Sequence, residues 1–166
     1  MFRIISRLCS PILIAIVLAF LPDAEALEVR PSRFIDGDTF GLSVRLIGID
    51  APETRHPRKA SEPFGEEASL FLRAEVAGKT LHLEFDQESM DRHGRLLAYV
   101  FLPDGTFLNA LLVCEGYARA SPYPPNLKYA GLFRQLEKEA REARRGMWRG
   151  LGDRVSSEGC REKSRR

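Results

Sequence analysis

The segment RLIGIDAPET, residues 45–54, decides the fold prediction. Its apolar first half is typical of a buried strand. Pro52 disfavours a helical conformation in the residue before it, so the chain should leave the sheet in an extended or turned loop. Arg45 and Asp50 are five positions apart, and strand alternation points them to opposite sides unless Gly48 bends the strand. Taken alone, the segment is more typical of a strand capped by two solvated charges.

Two carboxylates at the end of this segment suggest a metal site. Asp50 and Glu53 are three positions apart on irregular backbone, so their side chains can converge on one point. Hard cations such as calcium take oxygen ligands from carboxylates and backbone carbonyls, often on loops. A loop with exposed acids is the alternative, and the segment by itself favours that explanation.

Two further charged turns lie at the ends of other predicted strands. The sequence DGDT at residues 36–39 is typical of a hairpin turn, because Asp and Gly are common turn residues. The sequence DRHGR at residues 91–95 is typical of a hairpin tip, in which Gly94 permits a left-handed turn that aims Arg95 back at the sheet. Neither turn predicts chemistry by itself.

Taken together, these segments contain the groups that phosphodiester hydrolysis requires. The reaction needs positive charge to neutralise the phosphoryl oxygens, and a group that positions or deprotonates the attacking water. Arginine suits the first task because its planar fork grips two phosphate oxygens and keeps its charge. Two acids for a hard metal, one more acid as a base and two arginines make the chain a reasonable phosphodiesterase candidate.

The hydrophobic pattern predicts an α+β domain. We predict five strands and three helices, in the order three strands, one helix, two strands and two helices. Five short antiparallel strands with a helix between the third and the fourth fit an OB-fold barrel. The strands are predicted at residues 29–35, 39–40, 44–49, 80–85 and 96–102, and the helices at residues 64–77, 108–115 and 129–145.

Length and charge indicate one folded domain with two appendages. The chain has 166 residues, of which 44% are apolar, and a net charge of +2 that is too small to indicate nucleic-acid binding. Residues 1–26 have the positive start, the apolar run and the AEA cleavage pattern of an export signal, with an uncleaved anchor as the alternative. The domain is predicted at residues 27–150. Residues 151–166 are a basic tail, which is typical of a solvated end.

Two cysteines, Cys114 and Cys160, remain after removal of the export signal. An even pair in an oxidising compartment predicts a disulfide, which would pin the tail against the domain. The alternative is a buried, reduced Cys114 that packs as a small apolar residue, with Cys160 loose or paired between chains.

The ordered set of motifs resembles the signature of the thermonuclease family, also described as staphylococcal-nuclease-like or micrococcal nuclease. The resemblance runs without interruption over residues 29–148, most of the predicted mature chain. Any one motif is weak, but the ordered set is highly specific. The motifs are IDGDT at residues 35–39, RLIGIDAPET at 45–54, HP at 56–57, FGEEA at 64–68, DRHGRLLAYV at 91–100, NALL at 109–112 and GMW at 146–148.

The resemblance implies an OB-fold and a calcium-dependent nuclease that cuts DNA and RNA to products with 3′-phosphates. It also implies a calcium site formed by the side chains of Asp38 and Asp50 and the carbonyl of Ala51, with Asp36 as a nearby acid. The export signal implies a secreted or periplasmic enzyme that has no membrane contact after cleavage. We expect a monomer without a stable protein partner.

The resemblance further assigns the catalytic and substrate-binding roles. Glu53 would act as the general base or orient the attacking water, and Arg45 and Arg95 would bind the phosphate and stabilise its transition state. His93 stands where the family often has a tyrosine that contacts phosphate. Tyr123 lies near the family's base-stacking tyrosine, with surface packing as its alternative role.

Two other functions are compatible with parts of the sequence. One is a non-catalytic OB module that binds nucleic acid or protein. The joint presence of Arg45, Glu53 and Arg95 argues against it, and so does the export signal. The other is a nuclease tethered to a membrane by an uncleaved N-terminal segment.

Overall fold

The computed structural model describes residues 27–29, 34–36, 39–40, 43–54, 62–149 and 159–165. The predicted export signal and residues 151–158 of the tail lie outside these ranges. None of the helices formed by the described residues is both long and apolar enough to cross a membrane. The strands are β1 (Leu27–Val29), β2 (Phe34–Asp36), β3 (Thr39–Phe40), β4 (Val44–Leu46), β5 (Ile49–Asp50), β6 (Leu81–Glu84), β7 (Leu96–Phe101) and β8 (Arg119–Ala120). The helices are α1 (Gly65–Val76), α2 (Leu108–Cys114), α3 (Ala130–Glu142) and α4 (Cys160–Lys163), with a 3₁₀ turn at Gly146–Trp148.

The strands form two sheets. Six of them lie in the order β1-β6-β7-β4-β3-β2, and β5 and β8 form a separate pair. The pairs are antiparallel except for β4 and β7, which run parallel. The prediction of five antiparallel strands is therefore wrong in number and in direction, and the described strands do not close into a barrel. The prediction of three helices is also wrong, because the described part of the tail adds α4.

Two predicted strands are each divided in the structure. The strand predicted at residues 29–35 is two strands with different partners, since β1 pairs with β6 and β2 pairs with β3. Pro31, which cannot donate to a strand ladder, stands between them in the sequence. The strand predicted at residues 44–49 becomes β4 and β5, separated by a turn at Ile47 and Gly48. This turn sends the chain from one sheet to the other.

The core lies between the larger sheet and helices α1, α2 and α3. Tyr99 and Phe133 are completely buried and form an aromatic cluster with Phe107 and Tyr129, whose ring centroids lie 4.6 to 6.4 Å apart. The Tyr99 hydroxyl donates to Asp86 over 3.0 Å. Burial raises the pKa of Tyr99, and the hydrogen bond to Asp86 raises this pKa further. Burial of a phenylalanine side chain contributes roughly 3 kcal/mol, so Phe133 holds α3 firmly against the sheet.

Residues 159–165 are docked on the domain, so a solvated end is the wrong description of this part of the tail. The sulfur atoms of Cys114 and Cys160 are bonded, and their Cα atoms are 5.7 Å apart. The Phe107 N–H donates to the Ser164 carbonyl over 2.6 Å. We call residues 159–165 the C-terminal clip. Its three basic side chains each lie beside an acid of the domain, in the pairs Arg161–Glu75, Lys163–Glu139 and Arg165–Asp104.

Candidate active site

A sharp bend at Gly48 brings Arg45 and Asp50 together. Gly48 has a φ of 78°, a left-handed conformation that favours glycine. A Cβ atom at this position would lie 2.6 Å from a ring carbon of Phe133, so the packing of α3 also excludes a side chain. Because of the bend, one nitrogen of Arg45, Nη2, donates to the Ile49 carbonyl over 3.3 Å and to Asp50 Oδ1 over 3.1 Å.

The ion pair of Arg45 and Asp50 lies at the protein surface. The Arg45 side chain is 24% exposed and the Asp50 side chain is 53% exposed. A pair in such a position contributes at most about 1 kcal/mol to stability. The pair is better suited to ligand binding than to stabilising the fold, because it places a carboxylate that can bind a hard cation next to a guanidinium that can bind a phosphate.

The loop after β5 is fixed through its backbone, while the Glu53 side chain lies in solvent. Ala51 and Pro52 are buried and Glu53 is exposed. The Glu62 N–H donates to the Glu53 carbonyl over 2.9 Å. A Cβ atom on Gly65, the first residue of α1, would lie 2.8 Å from the same carbonyl oxygen. These two contacts fix the backbone from which the Glu53 carboxylate extends.

Arg95 is held by the turn that precedes β7. Asp91 Oδ1 accepts from the N–H groups of His93 and Arg95 over 2.8 and 3.0 Å, and Asp91 Oδ2 accepts from Arg95 Nε over 2.7 Å. Burial raises the pKa of Asp91, but the hydrogen bonds from Arg95 and His93 outweigh this effect and hold the pKa below its usual value. Gly94 has a φ of 73°, the left-handed conformation that the sequence predicts for this turn.

The parallel pairing of β4 and β7 places Arg95 on the same face as Arg45. Arg45 is paired with Leu97 across the two strands. Arg95 immediately precedes β7, and extension of the strand alternation by one residue puts it on the side of Leu97. Neighbouring strands lie about 4.8 Å apart, which brings the two arginines to one part of the surface.

Asn109 is a residue to which the sequence analysis assigns no role. It is completely buried on α2. Its Nδ2 donates to the Ile47 carbonyl over 2.9 Å, and its Oδ1 accepts from the Val100 N–H over 3.0 Å. A satisfied buried amide of this kind joins α2, β7 and the turn before Gly48 into one unit. The signal in the sequence is a polar residue in the otherwise apolar segment LNALLVC.

His93 and Tyr123 lie on two solvent-exposed loops. The ring nitrogen Nε2 of His93 accepts from Arg92 Nε over 3.1 Å at the tip of the turn. Tyr123 is 82% exposed. Its loop is anchored by Asn126, whose side-chain amide bonds to the N–H and the carbonyl of Glu88, each over 2.9 Å. Both rings are therefore accessible to a ligand that approaches from solvent.

The ligands predicted for calcium lie only partly among the described residues. Asp38 is outside the described ranges, and only the backbone of Asp36 is described. In the part of the chain that the structure describes, no group of three His, Cys, Asp or Glu side chains is arranged to hold a metal. Asp50 offers an exposed carboxylate, and Ala51 follows it directly. The predicted donors are all oxygen atoms, and such a set fits calcium better than a softer metal.

The site combines one guanidinium group on β4 and one on the turn before β7 with exposed carboxylates at the end of β5 and on the loop that follows it. This arrangement defines a class of protein, the phosphodiester hydrolases, in which cations offset phosphoryl charge and an acid acts on the attacking water. The sequence model of the family described as staphylococcal nuclease homologue matches residues 43–150. The chain belongs to the staphylococcal nuclease family and is a phosphodiester-hydrolysing enzyme of the nuclease class. Membership of this family implies an OB-fold.

Several curated proteins are similar to this chain. A thermonuclease of Staphylococcus intermedius is 44% identical over 123 residues, which cover 70% of this chain and 73% of the relative. A thermonuclease of Staphylococcus hyicus is 38% identical over 137 residues, which cover 78% of this chain and 80% of the relative. Endonuclease YncB of Bacillus subtilis (strain 168) is 40% identical over 130 residues, which cover 73% of this chain and 61% of that longer protein.

Proposed function

We propose that this nuclease depends on calcium, cuts both DNA and RNA, and leaves 3′-phosphate ends. The observation that carries the proposal is the parallel pairing of β4 with β7, which sets Arg45 opposite Leu97, two positions after Arg95, with Asp50 and the loop of Glu53 beside it. The names of the relatives, thermonuclease and endonuclease, support nucleic acid as the substrate.

In this proposal the two arginines bind the scissile phosphate. Arg45 reaches the phosphate from β4 and is oriented by Asp50, and Arg95 reaches it from the turn before β7 and is oriented by Asp91. Because both guanidinium groups are already held, little reorganisation is needed when negative charge develops on the phosphoryl oxygens. One such contact is worth about a hundredfold to a thousandfold in turnover.

Glu53 acts on the attacking water. Its backbone is held by the Glu62 N–H and by the start of α1, while its side chain extends into solvent where a water molecule can reach it. The carboxylate accepts a hydrogen bond from the water, orients the oxygen towards phosphorus and takes the proton as the new phosphorus–oxygen bond forms. The bond between phosphorus and the 5′-oxygen breaks, the leaving 5′-oxygen takes a proton from solvent, and the phosphate stays on the 3′-oxygen.

Asp38, Asp50 and the Ala51 carbonyl would hold the calcium ion, with Asp36 as a neighbouring acid that shapes the site. When bound, the ion supplies positive charge that reduces the repulsion between the phosphate and the approaching oxygen. Asp50 also keeps Arg45 in place, so this one carboxylate sets the position of two cationic groups relative to the phosphate.

The remaining assignments concern the substrate path and the location of the enzyme. His93 donates a hydrogen bond to a phosphate, and Tyr123 stacks on a base, as exposed aromatic rings do in single-strand binding sites.

Residues 27–150 form the nuclease domain and residues 151–166 the basic tail. Residues 1–26 direct export, so that a soluble monomer acts in the periplasm or the medium.

Cleavage assays on supercoiled plasmid and on single-stranded RNA test the proposal. We expect the purified protein to cut both with calcium and neither with excess chelator, and a 3′-phosphatase should release phosphate from the products. Glu53→Gln serves as the inactive control. Activity that persists in chelator contradicts the role of calcium, and absence of cleavage in calcium contradicts the nuclease assignment.

A further inference from the structure

The chain segment that begins with β8 forms a solvent-facing edge beside the active site. In the pair of β5 and β8, Asp50 lies directly opposite Arg119. Beyond the strand, the Ser121 N–H donates to the Gly48 carbonyl over 2.8 Å. Residues 119–121 therefore run alongside the bend that positions Asp50.

Exposure along this segment alternates with the period of a strand. Arg119, Ser121 and Tyr123 are exposed, whereas Ala120 and Pro122 are half-buried. Every second side chain of a strand points to the same side; β8 itself ends at Ala120, and beyond it the row is defined by the alternating exposure. We call the row formed by Arg119, Ser121 and Tyr123 the β8 edge. It leads from the active site towards the exposed tyrosine ring.

Arg119 differs from the two arginines of the active site because no acid among the described residues pairs with it. Arg45 is paired with Asp50, and Arg95 is paired with Asp91. Within the described ranges, Arg119 makes no side-chain hydrogen bond or ion pair, although cross-strand partners such as Asp50 have Cβ atoms only about 5 Å away. Its guanidinium is therefore available to an anion at the border of the active site.

We propose that Arg119 binds a backbone phosphate next to the scissile one, so that a single strand of nucleic acid runs along the β8 edge. The inference rests on the proposed nuclease function and adds a phosphate subsite to it. Sites for single strands combine positive charge that follows the backbone with aromatic rings that stack on bases. Arg119 does not touch the reacting atoms, so it strengthens substrate binding and leaves the rate of the chemical step unchanged.

The first test is Arg119→Ala, with Arg134→Ala as the matched control because Arg134 is an exposed arginine on α3. On a single-stranded oligonucleotide we expect Arg119→Ala to raise KM about fivefold to tenfold at constant kcat, the effect of losing one charged phosphate contact. The dependence of log kcat/KM on log salt should become shallower by about 0.7, the value for one phosphate of a single strand. Arg134→Ala should change neither quantity.

The length of the substrate separates the subsite from the catalytic centre. On a dinucleotide, which has only the scissile phosphodiester, Arg119→Ala and the unchanged protein should have equal KM and kcat. An equal loss on the dinucleotide, a fall in kcat at constant KM, or an unchanged KM and salt dependence on the oligonucleotide would each overturn the proposal.

Fluorescence anisotropy with a labelled oligonucleotide distinguishes failure of the subsite from failure of the nuclease assignment. If the unchanged protein cleaves and binds, and Arg119→Ala binds equally tightly, only the subsite is wrong. If the unchanged protein neither binds nor cleaves, the nuclease assignment fails and the subsite fails with it.

Discussion

The guanidinium of Arg45 reaches the carboxylate of Asp50 only because Gly48 reverses the alternation of the strand between them. At the scale of single residues, the active site is thus a result of one backbone conformation. The sequence contains both the charged residues and the glycine, so this part of the site could be predicted. Asn109 could not, because its role depends on two buried hydrogen bonds, one of which joins it to Ile47, 62 positions away in the sequence.

Replacement of the catalytic residues should reduce turnover far more than stability. We expect Arg45→Ala, Glu53→Gln and Arg95→Ala each to lower kcat by about a hundredfold or more, the scale for one electrostatic contact in a transition state. The side chains lie at the surface, so each change should alter the free energy of unfolding by no more than about 1 kcal/mol.

Plasmid cleavage rates and urea unfolding curves measure the two effects. Arg141→Ala is a suitable control, since Arg141 also belongs to a surface ion pair, with Glu137 at 2.7 Å. It should leave kcat unchanged. Near-normal turnover in a folded Arg95→Ala protein would contradict the proposed site.

At the scale of secondary-structure elements, the start of α1 fixes the loop of Glu53. In Gly65→Ala, the new Cβ atom would lie 2.8 Å from the Glu53 carbonyl oxygen and 3.0 Å from the Pro52 carbonyl oxygen. Backbone atoms cannot rotate away, so overpacking should cost about 1–3 kcal/mol of stability. The displaced loop should also lower kcat.

Gly131→Ala is the matched control for this change. Gly131 lies on α3, and a Cβ atom there would meet nothing within 4 Å. Alanine has the higher helix propensity, so the free energy of unfolding should rise by up to about 1 kcal/mol with kcat unchanged. Thermal unfolding and cleavage rates decide the outcome, and a Gly65→Ala protein as stable and active as the parent would refute the argument.

The sequence predicts the positions of the helices better than the pairing of the strands. Three helices lie close to their predicted positions, because apolar residues at helical spacing are a local signal. The parallel register of β4 and β7 has no local signal, since it depends on how the two strands meet after about fifty intervening residues. Only the structure establishes that register, which brings Arg45 close to the turn that carries Arg95.

At the scale of the whole molecule, the C-terminal clip joins distant parts of the chain. Cys114 and Cys160 are separated by 46 positions, and a crosslink that closes such a loop stabilises by about 4 kcal/mol at most. We expect Cys160→Ser to lower the free energy of unfolding by up to this amount. Urea unfolding of the parent protein with and without reductant should reproduce the difference, and Cys160→Ser should not respond to reductant.

Titration of thiols in the unfolded, unreduced protein provides an independent check on the disulfide. Two reactive thiols from Cys114 and Cys160 in each chain would contradict it. The sequence predicts that a disulfide docks the tail but not the ion pairs of the clip, because their acids Glu75, Asp104 and Glu139 belong to three separate parts of the chain.

Acid should weaken the docking of the clip. The hydrogen bond from Lys163, assisted by Gln135, holds the pKa of Glu139 below its ordinary value. A lowered pKa in the folded state gives a stabilising contribution that is present above the pKa of the unfolded state and is lost as pH falls through the folded value. Amide chemical shifts of residues 159–165 should therefore change between neutral pH and about pH 3.

Glu139→Gln is the control for this titration. The variant lacks the ionisable group, so the part of the shift change that reports on Lys163 should disappear. Identical titration curves for Glu139→Gln and the parent protein would show that the ion pair does not contribute.

The clip also ties the stability of this enzyme to the order in which its chain is made. Cys114 is synthesised before Cys160, and until residues 159–165 are made the sulfur at the end of α2 has no disulfide partner from the clip. A chain that ends before residue 159 would therefore have a free thiol at Cys114, and Asp104 and Glu139 would lack the basic partners that the clip supplies. The disulfide can close only after synthesis has passed residue 160 and the last segment has docked on the folded domain.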